Sequence, residues 1–421
     1  MAAPDVHSSI DAVWRIESPR LIAGLARIVR DVGLAEDLAQ DALVAALEKW
    51  PGDGIPEKPG AWLMAAAKHR AIDQLRHREV ADRKHKDLGR ALDERRQLEV
   101  EELENAIDDD IGDDLLRLMF TACHPVLSKE ARVALTLRLL GGLTTDEIGR
   151  AFLVPEPTIA QRIVRAKRTL AEKRIPFEVP RAGDRAERLA SVLEVLYLVF
   201  NEGYLATAGD DLLRPGLCED ALRLGRVLAG LAPSEPEVHG LVALMEIQAS
   251  RLRARTGPSG EAVLLADQDR ALWDRLLIGR GLDGLARAAR LPGGRGPYVL
   301  QAEIAACHAR AASVGETDWE RIASLYEELA RISPSPIVEL NRAVAVAMAF
   351  GPAAGLEVVD PLSAEPALAD YHLLPAVRGD LLAKLDRREE ALAEFERAAA
   401  LTKNARERTL LLERAAKTRS G

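Results

Sequence analysis

The side chains between Leu143 and Leu170 have the types and spacing to do chemistry, and that chemistry is binding. Thr158, Gln161, Arg162, Arg165 and Arg168 recur at helical intervals, polar groups first and cations after. A helix with this face offers hydrogen bonds to nucleobase edges near its amino end and neutralises phosphates further along. Residues 162–174 carry six basic side chains against one acid. Residues 99–114 carry nine acids and no base. Opposite charge blocks so close in sequence point to separate binding jobs, one of them with phosphate. No P-loop, GxSxG, HExxH or GxGxxG pattern occurs, so no enzyme is expected. Cys123-His124 could suggest a nucleophile or a metal ligand, but beside Pro125 the pair reads as packing. No metal site and no cofactor are expected.

The elements that must position the basic face are legible. Thr144 with Glu147 three residues later forms a capping box that starts a helix. Ile148, Ala151 and Phe152 give that helix an apolar face, and Leu153 to Pro155 make a turn. Pro157 falls in the first turn of the next helix, where its missing N–H costs nothing. There Ile159, Ile163, Ala166 and Leu170 make one buried stripe opposite the cations. The pair reads as a helix-turn-helix.

The 421 residues suggest about three domains. Apolar residues make up 48% and aromatics 4%, and helix formers dominate, so the chain is expected to be all-α. A net charge of −9 excludes a uniformly basic nucleic-acid binder. Three separated cysteines make no disulfide framework. The charged amino-terminal stretch has no apolar core for export, and no apolar run is long enough to span a membrane, so a cytoplasmic location is expected.

Composition divides the chain into residues 10–78, an acidic linker over 79–114, a helical stretch over 115–175 and a long helical tail over 184–421. A breaker-rich junction follows Ile175. In the tail Ala343-Val344 recurs as Ala376-Val377 and Leu356 as Leu392, with Ala391, Phe395 and Ala398 on one face. A period near 34 with small packing residues is similar to tetratricopeptide repeats. An irregular helical domain is the other reading.

With both halves in view, the sequence resembles the extracytoplasmic-function sigma factors of the sigma-70 family. Thr-x-x-Glu-Ile, then Thr158-Ile159-x-x-Arg162-Ile163-x-Arg165-Ala166-Lys167, resembles region 4, the −35 reader. Ala35-Glu-Asp-Leu-Ala-Gln-Asp-Ala-Leu43 resembles the polymerase-binding helix of region 2, and Ala61–Arg76 its −10 reading helix, with Lys68-His69 where the family commonly has Arg-Asn. The resemblance implies partners: core RNA polymerase, through its beta-prime clamp and beta flap, and promoter DNA. It implies that Asp37, Gln40 and Asp41 meet the clamp. It also implies that Lys68, Arg70, Arg76 and Arg78 hold the −10 strand, while Thr158, Gln161, Arg162, Arg165 and Arg168 read the −35 element. Trp62 is expected in the core rather than against a base. Asp73 is expected to pair with an arginine.

The acidic linker would thread channels of the polymerase and imitate a phosphate backbone, or else be a solvated connector. The tail resembles an extension that tunes sigma activity, with a regulatory protein or ligand as its partner. A free-standing helix-turn-helix regulator or repeat scaffold is the alternative function, and residues 34–78 discriminate the two. Three polar clusters in the tail could contact a ligand or the sigma modules. Gly293–Pro297 offers an anion-binding or merely flexible turn, Asp267–Asp274 a cap with salt bridges, and Asn201–Tyr204 a helix end stopped at Gly203.

Overall fold

The computed structural model describes residues 6–83, 111–206, 212–258 and 260–420. Among them are 18 helices and no β-strand beyond an isolated bridge between Thr256 and Ala262, so the chain is all-α as expected. It divides into two compact units, Met1–Leu196 and Tyr197–Gly421. The division falls inside one helix rather than in the breaker-rich segment before it.

The first unit opens with α1 (Val6–Val29), α2 (Val32–Asp53) and α3 (Pro59–Arg83). Asp31, in extended backbone, starts α2 by accepting from the Leu34 N–H at 3.0 Å. Gly54, at φ 82°, ends it in a conformation few other residues adopt without strain. Ala35, Leu38, Ala39, Ala42 and Ala46 form the buried face of α2. The small side chains of the four alanines allow α1 and α3 to approach closely. Trp50 is buried and meets the half-buried Trp62 edge-on, with ring centroids 5.3 Å apart, which places Trp62 at the core margin.

The second module of this unit comprises α4 (Ile111–Ala122), α5 (Lys129–Thr136), a π-turn over Leu137–Gly141, α6 (Thr145–Phe152) and α7 (Glu156–Glu172). The first half of α8 (Ala182–Tyr204) belongs with it. Arg188 of α8 donates to the Phe120 carbonyl at 2.7 Å, and Ser191 to that of Cys123 at 2.5 Å. Glu194 pairs with Lys129 at 2.6 Å and Arg132 at 3.1 Å. Cys123 is buried against Thr136, and burial pushes its thiol up to about 11. The His124 Nδ1 accepts from the Val126 N–H at 3.0 Å, and burial lowers this imidazole to about 4. Both side chains serve packing, as their sequence context suggested.

The second unit begins in the last turns of α8. It continues through α9 (Pro215–Leu231), α10 (Pro236–Ala249), α11 (Arg275–Ala288), α12 (Pro297–Arg310), α13 (Trp319–Ile332), α14 (Pro336–Phe350), α15 (Pro352–Val359), α16 (Leu373–Lys384), α17 (Arg388–Leu401) and α18 (Ala405–Ser420). Consecutive helices pack on one another, and α10 packs on both α11 and α12. Ala343, Leu356, Ala376, Ala391, Phe395 and Ala398 share one core cluster, with Val377 and Leu392 at its edge.

Three readings of the tail change in detail. Gly203 does not stop a helix, since α8 runs on through Tyr204. A Cβ there would lie 2.7 Å from the Cys218 nitrogen and 2.9 Å from the Arg214 oxygen, so this glycine permits close backbone approach. The α12 amino end at Gly296 is not open to an external anion. The Glu237 carboxylate already accepts from the N–H groups of Tyr298 at 2.8 Å and Val299 at 3.2 Å. Asp274 does cap α11 through Leu276 and Leu277, but Arg270 makes no salt bridge among the described residues and donates to the carbonyls of His308 and Ala311.

Candidate nucleic-acid interface

The helix-turn-helix is built as its sequence implies. The Thr144 hydroxyl accepts from the Glu147 N–H at 3.1 Å and the Glu147 carboxylate accepts from the Thr144 N–H at 2.8 Å, closing the capping box. Leu153 turns the chain at φ 51°, and the Val154 N–H returns to the Gly149 carbonyl at 2.9 Å. A Cβ at Gly149 would meet the Val154 oxygen at 2.7 Å, so the tight turn requires glycine there. Ile159, Ile163, Ala166 and Leu170 of α7 are all buried.

On the opposite face of α7, Thr158, Gln161, Arg165 and Arg168 are exposed, whereas Arg162 is half-buried. The charge of Arg162 helps hold the Glu130 carboxyl below its ordinary range, behind hydrogen bonds to the Glu130 backbone and Ser128. Arg168 is tethered to Glu172 at 2.6 Å, one turn along. Sequence reasoning missed Val164, which is 63% exposed on this same surface. An apolar group there suits contact with a thymine methyl. Its signal was a β-branched apolar residue outside the buried stripe.

On α2, Asp37 and Asp41 are exposed and Gln40 is half-buried. Asp41 lies 3.5 Å from Arg70 of α3, so two residues expected to serve different partners are brought together. Lys68 and Arg70 are half-buried at the surface of α3. The side chains of Arg76, Arg78 and Asp73, and linker acids 99–110, lie outside the described residues. Asp114, counted with the linker acids, is buried in α4 and bonds to Arg27 of α1 at 2.9 Å and Arg117 at 2.7 Å.

Sequence reasoning also missed Glu36. It is buried in α2, accepts from Arg138 at 2.6 Å and pairs with Lys167 of α7. Arg15 of α1 pairs with Glu147 of α6. These contacts join the α1–α3 module to the helix-turn-helix within the first unit. Between them a cavity of about 770 Å³ is lined by Arg27, Arg30, Lys167, Arg174 and Phe177, among others.

This arrangement is two small helical modules, the second a helix-turn-helix, followed by a helical extension, and comparison with known proteins matches each part. Residues 14–80 match Sigma-70 region 2, residues 117–170 match Sigma-70 region 4, and residues 188–289 match a family of unknown function, DUF6596. An uncharacterized protein of Rhizobium meliloti (strain 1021) is 45% identical over 402 residues, covering 94% of this chain and 93% of that protein. The probable ECF RNA polymerase sigma factor SigI of Mycobacterium tuberculosis is 27% identical over 179 residues, 42% of this chain and 60% of that one. The ECF RNA polymerase sigma factor SigK of Mycobacterium bovis is 29% identical over 148 residues, 34% of this chain and 74% of that one. No solved structure matches. The chain belongs to the extracytoplasmic-function sigma factors of the sigma-70 family and carries a carboxy-terminal helical extension.

Proposed function

We propose that this sigma factor binds core RNA polymerase in the cytoplasm, directs it to promoters with both a −10 and a −35 element, and is tuned by its extension. The observation that carries the reading is the face of α7. Thr158, Gln161, Arg165 and Arg168 stand exposed on a helix whose other side is locked into a capped helix-turn-helix. In this reading the amino-terminal pair meets base edges and the arginines meet phosphates. Arg162, half-buried, takes part from the margin of that face.

Asp37, Gln40 and Asp41 meet the beta-prime clamp, while the helix-turn-helix also meets the beta flap. Lys68 and Arg70, with Arg76 and Arg78 further along α3, hold the −10 strand. In this reading residues 10–78 form the first module, the linker runs from 79 to the start of α4, the second module reaches 175, and 184–421 is a tetratricopeptide-like regulatory extension whose first residues, 184–196, pack with the second module. The linker acids imitate a nucleic-acid backbone in the polymerase channels. The extension receives a regulatory protein or ligand.

The test is capture of purified core polymerase by the full chain. Asp37→Ala with Asp41→Ala abolishes capture in this reading, and undiminished capture overturns the clamp assignment. Tight retention of duplex DNA by the chain alone, with no core capture at all, would identify a free-standing regulator instead.

A further inference from the structure

Two partly buried arginines in the extension have no carboxylate partner among the described residues. Arg251 and Arg255 are half-buried at the end of α10, and their Nε atoms are buried with no hydrogen-bond partner. No carboxylate pairs with either among the described residues, although nearly every other partly buried arginine of this unit has one or is bonded to carbonyls. Both guanidinium groups face the Tyr204 ring, Arg255 at 3.8 Å from its centroid and Arg251 at 5.9 Å. Arg251 also faces Trp273, at 5.7 Å. The Tyr204 hydroxyl and the Trp273 Nε1, both buried, are likewise without a partner. Four unsatisfied polar groups therefore converge from three chain segments, and three of them are N–H donors.

The frame around them is rigid. The Asp274 N–H donates to the Ser250 carbonyl at 2.9 Å, which ties the Trp273 segment to the end of α10. The Ala254 N–H closes a turn on the Arg251 carbonyl, and the Val263 N–H donates to the Arg255 carbonyl, both at 2.9 Å. Nearby, His308 is held neutral, lowered to about 4 by burial and then by Arg251 and Arg270. Glu407 feels the charge of Arg255, but its carboxylate is engaged with His372 at 3.1 Å and Thr402 at 2.9 Å. What fits paired guanidinium groups with adjacent N–H and O–H donors is an oxyanion, which accepts several hydrogen bonds and neutralises the charge.

We propose that Arg251 and Arg255, with Tyr204 and Trp273, form a binding site in the extension for the carboxylate or phosphate group of a small acid. The site lies within the segment that matches the family of unknown function. Anion binding here does not depend on promoter recognition and is read by binding alone.

The experiment is calorimetric titration of the full chain with inorganic phosphate and, separately, with succinate, at fixed ionic strength set by chloride. Saturable binding of one equivalent of either is expected, weakened at least tenfold by Arg251→Gln with Arg255→Gln and unchanged by Arg287→Gln at an exposed position. The anion that binds more tightly identifies the group. Should the double variant fold poorly, arginine modification by phenylglyoxal, mapped by mass spectrometry on the unaltered chain, replaces it. The anion then protects Arg251 and Arg255 while exposed arginines react. Failure of both anions to bind saturably, binding undiminished in the double variant, or no protection of the pair overturns the proposal.

Discussion

Removing the Glu36 carboxylate should loosen the helix-turn-helix from the first module without unfolding either. The Glu36 side chain is 5% exposed, and those of Arg138 and Lys167 are 21% and 19% exposed. Breaking a buried ion pair by deleting one partner costs about 3–5 kcal/mol, because the other charge stays buried. Here both cations keep some solvent, and Glu36→Gln retains one acceptor, so the cost falls to about 2–3 kcal/mol. Hydrogen exchange read on α7 peptides of the full chain converts this to exchange roughly 30- to 150-fold faster. Glu48→Gln, at an exposed position on α2, is the control. Lys167→Met combined with Glu36→Gln should add less than the two changes made separately, because they share the Lys167 contact, while Arg138 still loses its carboxylate. Exchange on α7 within threefold of the parent would refute the claim that Glu36 joins the modules.

Three further outcomes follow from particular contacts. Gly203→Ala should cost about 2–3 kcal/mol in urea unfolding of the second unit, because its Cβ would strike the α9 backbone; a change within 0.5 kcal/mol, the order of an ordinary surface substitution, would refute this. His124 and His308 sit near 4 in the folded chain, below the unfolded value of 6.5, so the stability they contribute is present above 6.5 and lost as pH falls toward 4. The thermal midpoint should therefore drop between pH 6.5 and 4.5, with a shallower drop in the double asparagine variant; equal slopes would contradict it. Arg165→Ala or Arg168→Ala should each reduce the salt dependence of promoter binding by holoenzyme by about one ion, and an unchanged slope would remove that residue from the phosphate contacts.

The helix-turn-helix was legible because its signals are local. Cap, turn and stripe lie within 28 residues, and the period of 3.6 separates Ile159, Ile163, Ala166 and Leu170 from the cations. Asp37 and Asp41 were legible as an exposed pair for the same reason. Glu36, their neighbour, was not. Its partners stand 102 and 131 residues away, and nothing in an acidic helix face marks which carboxylate will be buried. Gly203 was misread because a glycine near a helix end can serve as a stop or as room for another backbone, and only α9 decides between them. The unpaired arginines after α10 carry no local signature at all. Their meaning comes from Tyr204 and Trp273, which tertiary packing brings to them.

Run-off transcription with purified core polymerase on a promoter-bearing fragment decides whether this chain initiates transcription. Full-length protein and residues 1–196 are compared, the second being the first compact unit. Core-dependent initiation at a defined start is expected from at least one form, and the ratio between them measures what the extension contributes. No initiation by either form on a pool of genomic fragments, with duplex DNA retained by the protein alone, would contradict the account.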